Sequence, residues 1–405
     1  MKQTIISLLL IIAFSFTAFA GTSTPTEEGV LSPEVLKEIQ SSVQMHRGDK
    51  ALINAFSQNK LHDLAKDLDT YNSMNFIFSH ELDALKITDQ ERTGRCWLFA
   101  CYNTMRGKVA NENNLSDFEF SESYSQFWDK LEKANLFLEY VIMNADAVNS
   151  ADGYNDREFV LLLKNPIPDG GFWHMAKNVI EKYGVVPKEI MPETQHSSSS
   201  GEMNMLIENK LRNAASEMLS LAARGKNEKT LRKLKVDHLK DVYRLLVYSL
   251  GEPPREFEWR YTDKDDSIHT RTFTPKSFYT DMVGVNLDDF AVLCNCPTQD
   301  YGKNYSIKLG RGQLEGMDWT FLNLPMDDIK TYAYQSLLDS HAVEFSVDVG
   351  KQRDSDKGYL ADGLYDYESL LGVRMPFDKK SSILTRNSAP NHAMALVGVD
   401  VVNGE

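Results

Sequence analysis

The sequence predicts an α+β protein in which a helical first half precedes a β-rich second half. Residues 33–250 contain amphipathic helical patterns, whereas the segments after residue 285 are short, apolar and bounded by turn residues. A chain of 405 residues is long enough for about two or three domains. We expect the functional site between the helical and β-rich parts, because ligand sites are commonly found between lobes.

The composition is that of an ordinary globular protein. Hydrophobic residues make up 42% of the chain and charged residues 25%, which excludes a disordered, collagen-like or coiled-coil chain. The net charge of −14 disfavours nucleic acid as a partner, since phosphate contacts need clustered cations. Four cysteines are too few for a disulfide scaffold. No internal segment of about 18 apolar residues could form a transmembrane helix.

Residues 1–20 have the pattern of a secretory signal peptide. Lys2 precedes an apolar run over residues 5–16, and Ala18-Phe19-Ala20 forms a small-x-small cleavage site before Gly21. An uncleaved anchor is the alternative. We expect a protein that is exported to the periplasm or secreted, and that has no membrane contact after cleavage. Residues 21–48 are a linker and N-terminal segment, which begins with the polar stretch GTSTPTEEGVLS.

Helical patterns dominate residues 33–200, of which residues 49–200 are predicted to form a helical lobe. A helical segment over residues 33–58 has Ser32 as its N-cap and Pro33 in its first turn. Further helices are expected after the Gly-Arg-Cys-Trp turn at residues 94–97, over residues 121–145 and from residue 173 to about 183. The helix at 121–145 has one apolar face, made of Tyr124, Phe127, Leu131, Ala134, Leu138 and Val141.

Residues 201–284 are predicted to be an insertion, and residues 285–405 a β-rich lobe. The insertion contains two charged amphipathic helices over residues 202–250, followed by a hairpin over residues 256–273 that turns at residues 263–266. In the β-rich lobe, strands are expected at residues 291–296, 305–309, 343–349 and 393–402, with one helix near residues 326–339.

Cys96 is the strongest candidate for a catalytic residue. The Gly-containing turn before it places the thiol in the first turn of a helix, where the partial positive charge of the helix N-terminus stabilises a thiolate. Gln90 lies shortly before it, so the Gln90 amide and the Cys96 backbone N–H together can stabilise an oxyanion. An isolated cysteine is more often a buried structural residue, but the combination with Gln90 and Trp97 favours a nucleophile.

His392 is the candidate partner of Cys96, because a cysteine nucleophile needs a base or an ion-pair partner. It opens a strand of small and apolar residues, Ala393-Met394-Ala395-Leu396-Val397, which would hold the ring rigidly at the edge of a cleft. An exposed or hydrogen-bonded structural histidine is the alternative. The other histidines of the chain lack such a context.

These residues resemble the papain-like cysteine peptidases, and more specifically their bleomycin hydrolase and bacterial aminopeptidase C branch. The generic papain pattern has a second cysteine three residues before the nucleophile, whereas this chain has Thr93 there, as in the Thr-Gly-Arg-Cys-Trp-Leu-Phe-Ala form of the branch. The resemblance covers most of residues 70–400. It includes the segments at residues 127–135, 169–171, 181–187, 297–305, 347–351 and 391–394. Roughly 300 residues separate Cys96 from His392, against about 130–150 in papain-type enzymes, so the branch carries a large insertion.

The resemblance implies a two-lobed, papain-like fold with one helical lobe, one β-rich lobe and large helical insertions. It implies Cys96 as the nucleophile, His392 as general base and acid, and Gln90 as the oxyanion donor. Gly170 and Gly171 resemble the glycine pair whose backbone pairs with an extended substrate, although a plain loop turn would also suit them. The implied protein is a thiol peptidase that removes N-terminal residues from peptide substrates, with no metal and no cofactor, in a homo-hexamer.

One part of the family pattern does not occur in these 405 residues. In the family, an Asn within an Asn-Ser-Trp-Gly motif follows the catalytic His and orients it, but no Asn-Ser-Trp-Gly follows His392 here. The final strands of the β-rich lobe and the C-terminal tail are missing as well, so we expect either a fragment of a longer protein or a truncated form with impaired activity. In the branch, that tail limits cleavage to residues near the substrate N-terminus, so aminopeptidase specificity does not transfer directly.

Three alternatives stay open. A degenerate papain fold could bind peptides without hydrolysing them. Nucleic-acid binding occurs in some relatives of this branch, although the negative charge of this chain opposes it. Cys294 and Cys296 could form a metal half-site with Cys96 and Cys101, but the spacing fits zinc patterns poorly. A structural role is the other explanation for Cys101, Cys294 and Cys296.

Overall fold

The computed structural model describes residues 27–83, 85–150 and 156–402. The predicted signal peptide lies outside these residues. The chain divides into two compact units, residues up to Lys66 and residues from Asp67 onward. Cys96 and His392 both belong to the second unit.

The first unit consists of short helices. They are α1 (Pro33–Ser41), α2 (Asp49–Gln58) and α3 (Leu61–Ala65). The Ser32 side chain caps α1 by accepting a hydrogen bond from the Val35 N–H at 3.3 Å, as its position before Pro33 predicts. The helical pattern over residues 33–58 is thus two helices, because the chain leaves α1 at Ser42 and enters a new helix at Asp49.

The second unit is mainly helical up to residue 250. Its elements are α4 (Leu68–Ser73), β1 (His80–Glu81), α5 (Cys96–Glu112), α6 (Glu122–Met143), α7 (Ala145–Val148), α8 (Arg157–Lys164), α9 (Trp173–Tyr183), α10 (Gln195–Ser198), α11 (Gly201–Ala223) and α12 (Glu228–Leu250). The helices predicted after residues 94–97, at 121–145, at 173–183 and over 202–250 are confirmed. Ser121 and Asn227 cap α6 and α12, since each side chain accepts a hydrogen bond from a backbone N–H in the first turn.

Helix α6 is buried on nearly all sides, whereas the apolar spacing predicts a single buried face. It packs against α9, α11 and α12. Its charged residues Asp129, Lys130 and Lys133 are therefore buried too, and each is paired with an opposite charge. Periodicity identifies the helix, but it cannot show that other helices cover its polar side.

Most of the strands follow residue 250. The elements are β2 (Phe257–Thr262), β3 (Ile268–Phe273), α13 (Pro275–Phe278), β4 (Leu293–Cys294), β5 (Lys303–Ile307), β6 (Trp319–Asn323), α14 (Met326–Leu338), β7 (Val343–Val347), β8 (Arg353–Asp354), β9 (Tyr359–Leu360), α15 (Tyr367–Leu371), α16 (Lys379–Leu384), β10 (His392–Leu396) and β11 (Gly398–Val399). The predicted hairpin is the β2–β3 pair. Each of the four predicted strand regions contains a strand, and the last region contains two, β10 and β11.

In the described residues the strands form small sheets instead of one continuous sheet. A three-stranded sheet has the order β4-β6-β5, in which β4 and β6 are parallel. The pairs β7–β10, β1–β11, β2–β3 and β8–β9 are all antiparallel. The architecture is α+β, as the sequence predicts.

The β7–β10 pair joins the strands to the helical part. His392 pairs with Val347, and Ala393 pairs with Ser346. Both strands pack on α5, and Ala393 is buried in the same core as Trp97 near the start of that helix. The helix that begins at Cys96 and the strand that begins at His392 are therefore in direct contact.

Candidate active site

Cys96 is the first residue of α5, as its sequence context predicts. The turn before it is held by Arg95, a buried side chain that donates two hydrogen bonds of 3.0 Å each to Glu193. Arg95 Nε also donates to Thr93 Oγ1 at 3.1 Å. Because a bidentate pair fixes orientation as well as distance, the backbone that leads into Cys96 is held in one place.

Gly94 lets the turn before Cys96 approach the loop at Asp169. A Cβ on Gly94 would lie 2.8 Å from the Asp169 Cβ, closer than two such atoms can approach. The Gly94 N–H donates to the Asp169 carboxylate at 3.4 Å. The Trp97 indole N–H donates to the Asp169 carbonyl oxygen at 2.8 Å. Residues on both sides of Cys96 are thus attached to the residue that precedes Gly170.

Gly170 and Gly171 are glycines for different reasons. A Cβ on Gly171 would lie 2.5, 2.6 and 2.9 Å from three atoms of the Trp97 ring, whereas a Cβ on Gly170 would meet no atom within 4 Å. Packing beside Cys96 therefore requires glycine at position 171. Gly170 faces open space, so the backbone of a ligand can approach it closely.

Two buried lysines of α6 bind the carbonyl groups of the loop around the glycine pair. Lys130 Nζ donates to the Ile167 carbonyl at 2.8 Å. Lys133 Nζ donates to the Pro168 and Gly170 carbonyls at 2.9 Å each. These three bonds anchor residues 167–170, the loop that forms one wall of the cleft beside Cys96.

Asp169 and Asp129 balance the charges of these lysines. Lys130 pairs with Asp169 at 2.5 Å, and Lys133 pairs with Asp129 at 2.8 Å. Burial acts to raise the pKa of Asp169, but the Lys130 ammonium and a hydrogen bond from Ser200 outweigh it, so this pKa lies well below its usual range. Burial raises the pKa of Asp129, since its lysine partners offset only part of the desolvation. Of these two carboxyl groups, Asp169 is therefore the one that more strongly favours the ionised form.

His392 is the first residue of β10, and its side chain is partly buried. Burial lowers the pKa of His392, and the positive charge of Arg353 lowers it further. Both effects favour the neutral imidazole, which is the form that accepts a proton from a thiol.

A hydrogen-bonded clamp holds the residue before His392. Asn391 Nδ2 donates to Asp348 Oδ1 at 2.7 Å, and Asn391 Oδ1 accepts from the Val349 N–H at 3.1 Å. The Asn391 N–H donates to the Val347 carbonyl at 3.1 Å. This Asp348–Asn391 clamp attaches the start of β10 to the end of β7 at three points, which restricts the backbone that carries His392.

The Gln90 side chain lies against the turn that leads into Cys96. Gln90 Nε2 donates to the Thr93 carbonyl at 2.5 Å, and Thr93 Oγ1 donates to the Gln90 carbonyl at 2.8 Å. A side-chain amide carries two N–H groups, so one of them remains for a substrate oxygen.

The residues predicted from the sequence line one large cleft, with a volume of about 3270 Å³. They are Cys96, His392, Gln90, Gly170 and Gly171. Within the part of the chain that the structure describes, no hydrogen bond joins the Cys96 thiol to the His392 ring. Catalytic hydrogen bonds are often long without substrate and tighten in the complex. The cleft thus combines a thiol at a helix N-terminus, an imidazole whose lowered pKa favours the neutral form, and an open backbone segment.

Sequence reasoning missed the residues that support this site. They are Lys130, Lys133, Asp169, Asp348 and Asn391. A partial signal was available, because Asp169 directly precedes the glycine pair and Asn391 directly precedes His392. Their partners are remote, since 37 positions separate Lys133 from Gly170 and 43 separate Asp348 from Asn391. No local pattern connects residues so far apart.

The other three cysteines form no metal site within the described residues. Cys101 is buried in α5, Cys294 and Cys296 are half-buried beside the cleft, and all the thiols are free. Burial raises the pKa of Cys101 and of Cys294. Across residues 27–83, 85–150 and 156–402, no group of three or more His, Cys, Asp or Glu side chains could hold a metal ion. None of the helices in these ranges has the length and apolar character needed to span a membrane.

Comparison with known proteins identifies the family. The sequence model of the Peptidase C1-like family matches residues 30–405. The chain belongs to the Peptidase C1-like family. This assignment confirms the resemblance to papain-like cysteine peptidases.

Bacterial aminopeptidases are among the relatives of this Peptidase C1-like chain. It is 34% identical over 377 residues to Aminopeptidase C of Streptococcus thermophilus, with 92% of this chain and 83% of the relative covered. It is 38% identical over 330 residues to Aminopeptidase G of Lactobacillus delbrueckii subsp. lactis, with 81% and 74% covered. The crystal structure of PepW from Lactobacillus rhamnosis HN001 is similar with a TM-score of 0.88 and 35% identity, covering 93% of this chain and 84% of that protein. The predicted papain-like α+β fold is confirmed by this match.

Proposed function

We propose that this protein is an exported cysteine aminopeptidase that removes N-terminal residues from peptides through an acyl-enzyme on Cys96. The observation that carries the proposal is the position of Cys96 at the start of α5 and of His392 at the start of β10. Both residues line one cleft, and the two elements pack directly against each other. The names of the relatives, Aminopeptidase C and Aminopeptidase G, support the substrate class.

In the proposed reaction, His392 accepts the proton of the Cys96 thiol, and the thiolate attacks the carbonyl carbon of the peptide bond. The negative charge that develops on the carbonyl oxygen is stabilised by the Cys96 backbone N–H and the Gln90 amide. His392 then donates its proton to the leaving amine, and the acyl group remains on Cys96 as a thioester. A water molecule that loses a proton to His392 hydrolyses the thioester and regenerates the thiol.

The first test measures hydrolysis of an aminoacyl amide and of the same amide with an acetylated amino group. The wild-type protein should cleave the free-amine substrate and spare the acetylated one. Cys96→Ala should lower the rate on the order of 10⁴-fold or more, because it removes the nucleophile. Cys101→Ala is the matched control, and it should retain substantial activity because that thiol is buried in the core.

Three outcomes would count against this proposal. Activity retained in Cys96→Ala would exclude Cys96 as the nucleophile. Equal cleavage of free and acetylated substrates would indicate an endopeptidase. Peptide binding without any cleavage by the wild-type protein would favour the non-catalytic peptide-binding alternative.

Export is a separate part of the proposal and rests on residues 1–20 alone. Expression of the full chain in a bacterial host, followed by fractionation and N-terminal sequencing, tests it. The expected product begins at Gly21 and lies outside the cytoplasm. The double variant Ala18→Leu, Ala20→Leu should remain uncleaved, because the signal peptidase site needs small residues. A wild-type product that keeps Met1 and stays in the cytoplasm would contradict export.

A further inference from the structure

The Asp169 carboxylate joins three separate parts of the chain. Lys130 of α6 pairs with it at 2.5 Å. Asn204 Nδ2 donates to the same carboxylate at 2.7 Å, and the Ser200 hydroxyl donates to it as well. Ser200 is the N-cap residue directly before α11, and Asn204 lies near the start of α11, the first helix of the predicted insertion. The Gly94 N–H donates from the turn before Cys96 at 3.4 Å. Hydrogen-bond donors from the turn before Cys96, from α6 and from the start of α11 therefore meet at the Asp169 side chain.

The main chain at this position is attached as well. The Asp169 carbonyl oxygen accepts from the Trp97 indole N–H at 2.8 Å, and the Gly170 carbonyl oxygen accepts from Lys133 at 2.9 Å. The space next to Gly170 is open, since a Cβ on this residue would meet no atom within 4 Å. The distance between the open Gly170 backbone and Cys96 therefore depends on the contacts of Asp169.

The carboxylate and its partners are largely removed from solvent. The Lys130 side chain is 1% exposed and the Asp169 side chain 16%. Hydrogen bonds to a charged group are stronger than those between neutral groups, and a buried charge that loses its partner is strongly destabilising. Asp169 and Lys130 therefore hold each other in place, and Ser200 and Asn204 fix the orientation of the carboxylate.

We propose that Asp169 is a positioning residue for peptide hydrolysis, and that Asn204 of α11 and Ser200, the residue before α11, act through it to hold the Gly170 backbone beside Cys96. This inference rests on the proposed peptidase function. The start of the inserted helix then supports the active site, although it touches neither the substrate nor the reacting atoms.

Loss of one donor to Asp169 should affect the peptide-binding side of the cleft more than the nucleophile. Cys96 remains at the start of α5, where the Arg95–Glu193 pair holds the preceding turn. A small electrophile needs only the thiol, so its reaction with Cys96 should not change. A peptide must lie along Gly170, and a small displacement of that backbone lowers the rate of its hydrolysis.

The test compares Asn204→Ala with Asn209→Ala, which changes an exposed asparagine on the same helix. Two rates are measured for each protein: alkylation of Cys96 by iodoacetamide, followed by mass spectrometry, and hydrolysis of a dipeptide amide. Asn204→Ala should keep the alkylation rate but lose about tenfold in kcat/KM, mainly through KM, the size expected for one hydrogen bond to a charged group. Asn209→Ala should match the wild-type protein in both rates.

Ser200→Ala is the second variant, because it removes a different donor and leaves the Lys130–Asp169 pair intact. The same pattern of unchanged alkylation and raised KM is expected. Wild-type KM in both variants overturns the positioning role while the proposed function stands. An equal loss of both rates overturns it too, since that result indicates general damage to the fold. A wild-type protein that shows neither alkylation of Cys96 nor hydrolysis overturns the proposed function, and this inference with it.

Discussion

Gly171 lies so close to the indole ring of Trp97 that a Cβ at position 171 would be 2.5 Å from Trp97 Cε2. Trp97 directly follows Cys96, and its indole N–H donates to the Asp169 carbonyl oxygen. The helix that carries the thiol and the loop that carries the glycine pair are therefore packed together so closely that no side-chain atom fits between Gly171 and Trp97. This contact seats the glycine loop directly against the residue that follows Cys96.

Gly171→Ala should destabilise the protein. The added methyl group overlaps the Trp97 ring, and overpacking of this kind typically costs about 1–3 kcal/mol. We expect a lower melting temperature and a loss of peptide hydrolysis, because the loop must move away from Cys96. Gly170→Ala is the matched variant, and it should change stability by no more than about 0.5 kcal/mol because its methyl group enters open space.

Gly170→Ala should nevertheless lower kcat/KM, because the methyl group occupies the space that an extended substrate needs. Gly171→Ala therefore tests the packing of the loop against Trp97, whereas Gly170→Ala tests the access of the substrate to the loop backbone. If Gly170→Ala hydrolysed peptides at the wild-type rate, the substrate would not lie along Gly170.

Asn391→Ala should lower kcat with little change in KM. The substitution removes two of the three hydrogen bonds of the Asp348–Asn391 clamp, so the backbone that carries His392 gains freedom. A poorly oriented base typically reduces the rate, and we expect a decrease of about tenfold in steady-state assays. Asn304→Ala, at an exposed position on β5, is the matched control and should keep the wild-type kcat. An unchanged kcat in Asn391→Ala would show that the clamp is not needed.

Arg353→Gln should raise the pKa of His392. Burial is the larger cause of the lowered His392 pKa, and it is unchanged in the variant. The positive charge of Arg353 is the smaller cause, because it disfavours the imidazolium, and the substitution removes it. NMR titration of the His392 ring measures the shift, and the limb of the pH–rate profile that His392 controls should move to higher pH. Lys308→Gln removes a positive charge from an exposed site on another part of the surface and serves as the control. A His392 pKa that stays constant or falls in Arg353→Gln would contradict the assignment of this charge effect.

Glu344→Gln should change how stability depends on pH. Glu344 Oε2 is buried without a hydrogen-bond partner among the described residues, and burial raises the pKa of this carboxyl from 4.5 to about 8. Below about pH 4.5 the group is protonated in both folded and unfolded chains and has no effect. Between about pH 4.5 and 8 the unfolded chain releases the proton and the folded chain keeps it, so stability falls as the pH rises. Above about pH 8 both forms are ionised, and the loss is complete.

Melting temperatures of the wild-type protein and Glu344→Gln, measured from pH 4 to 9, test this prediction. The wild-type value should fall relative to the variant between about pH 4.5 and 8 and then keep a constant difference. Glu122, whose pKa burial also raises to about 8, is present in both proteins, so its effect cancels. If the difference in melting temperature between the two proteins were the same at every pH, ionisation of Glu344 would not cause the pH dependence of stability.

The elements around the site follow from local patterns in the chain. Helix α5 begins after the Gly94-Arg95 turn, Ser121 caps α6, and a turn at residues 263–266 closes the β2–β3 hairpin. Each of these signals acts between residues that are close in sequence, so the sequence displays it directly. The support of the site could not be predicted in this way, because Lys133 and Asp348 each bind a partner that belongs to a different segment.

The sequence by itself determined where the helix of Cys96 and the strand of His392 begin, and that both belong to a papain-like pattern. Only the tertiary structure decided that Gly171 is required by packing while Gly170 is open. It also decided that the charged side of α6 is buried, so that Lys130 holds Asp169 instead of facing water. The physical reason is that burial and steric exclusion depend on which distant segments pack together, and the order of residues along one segment carries no record of its neighbours in space.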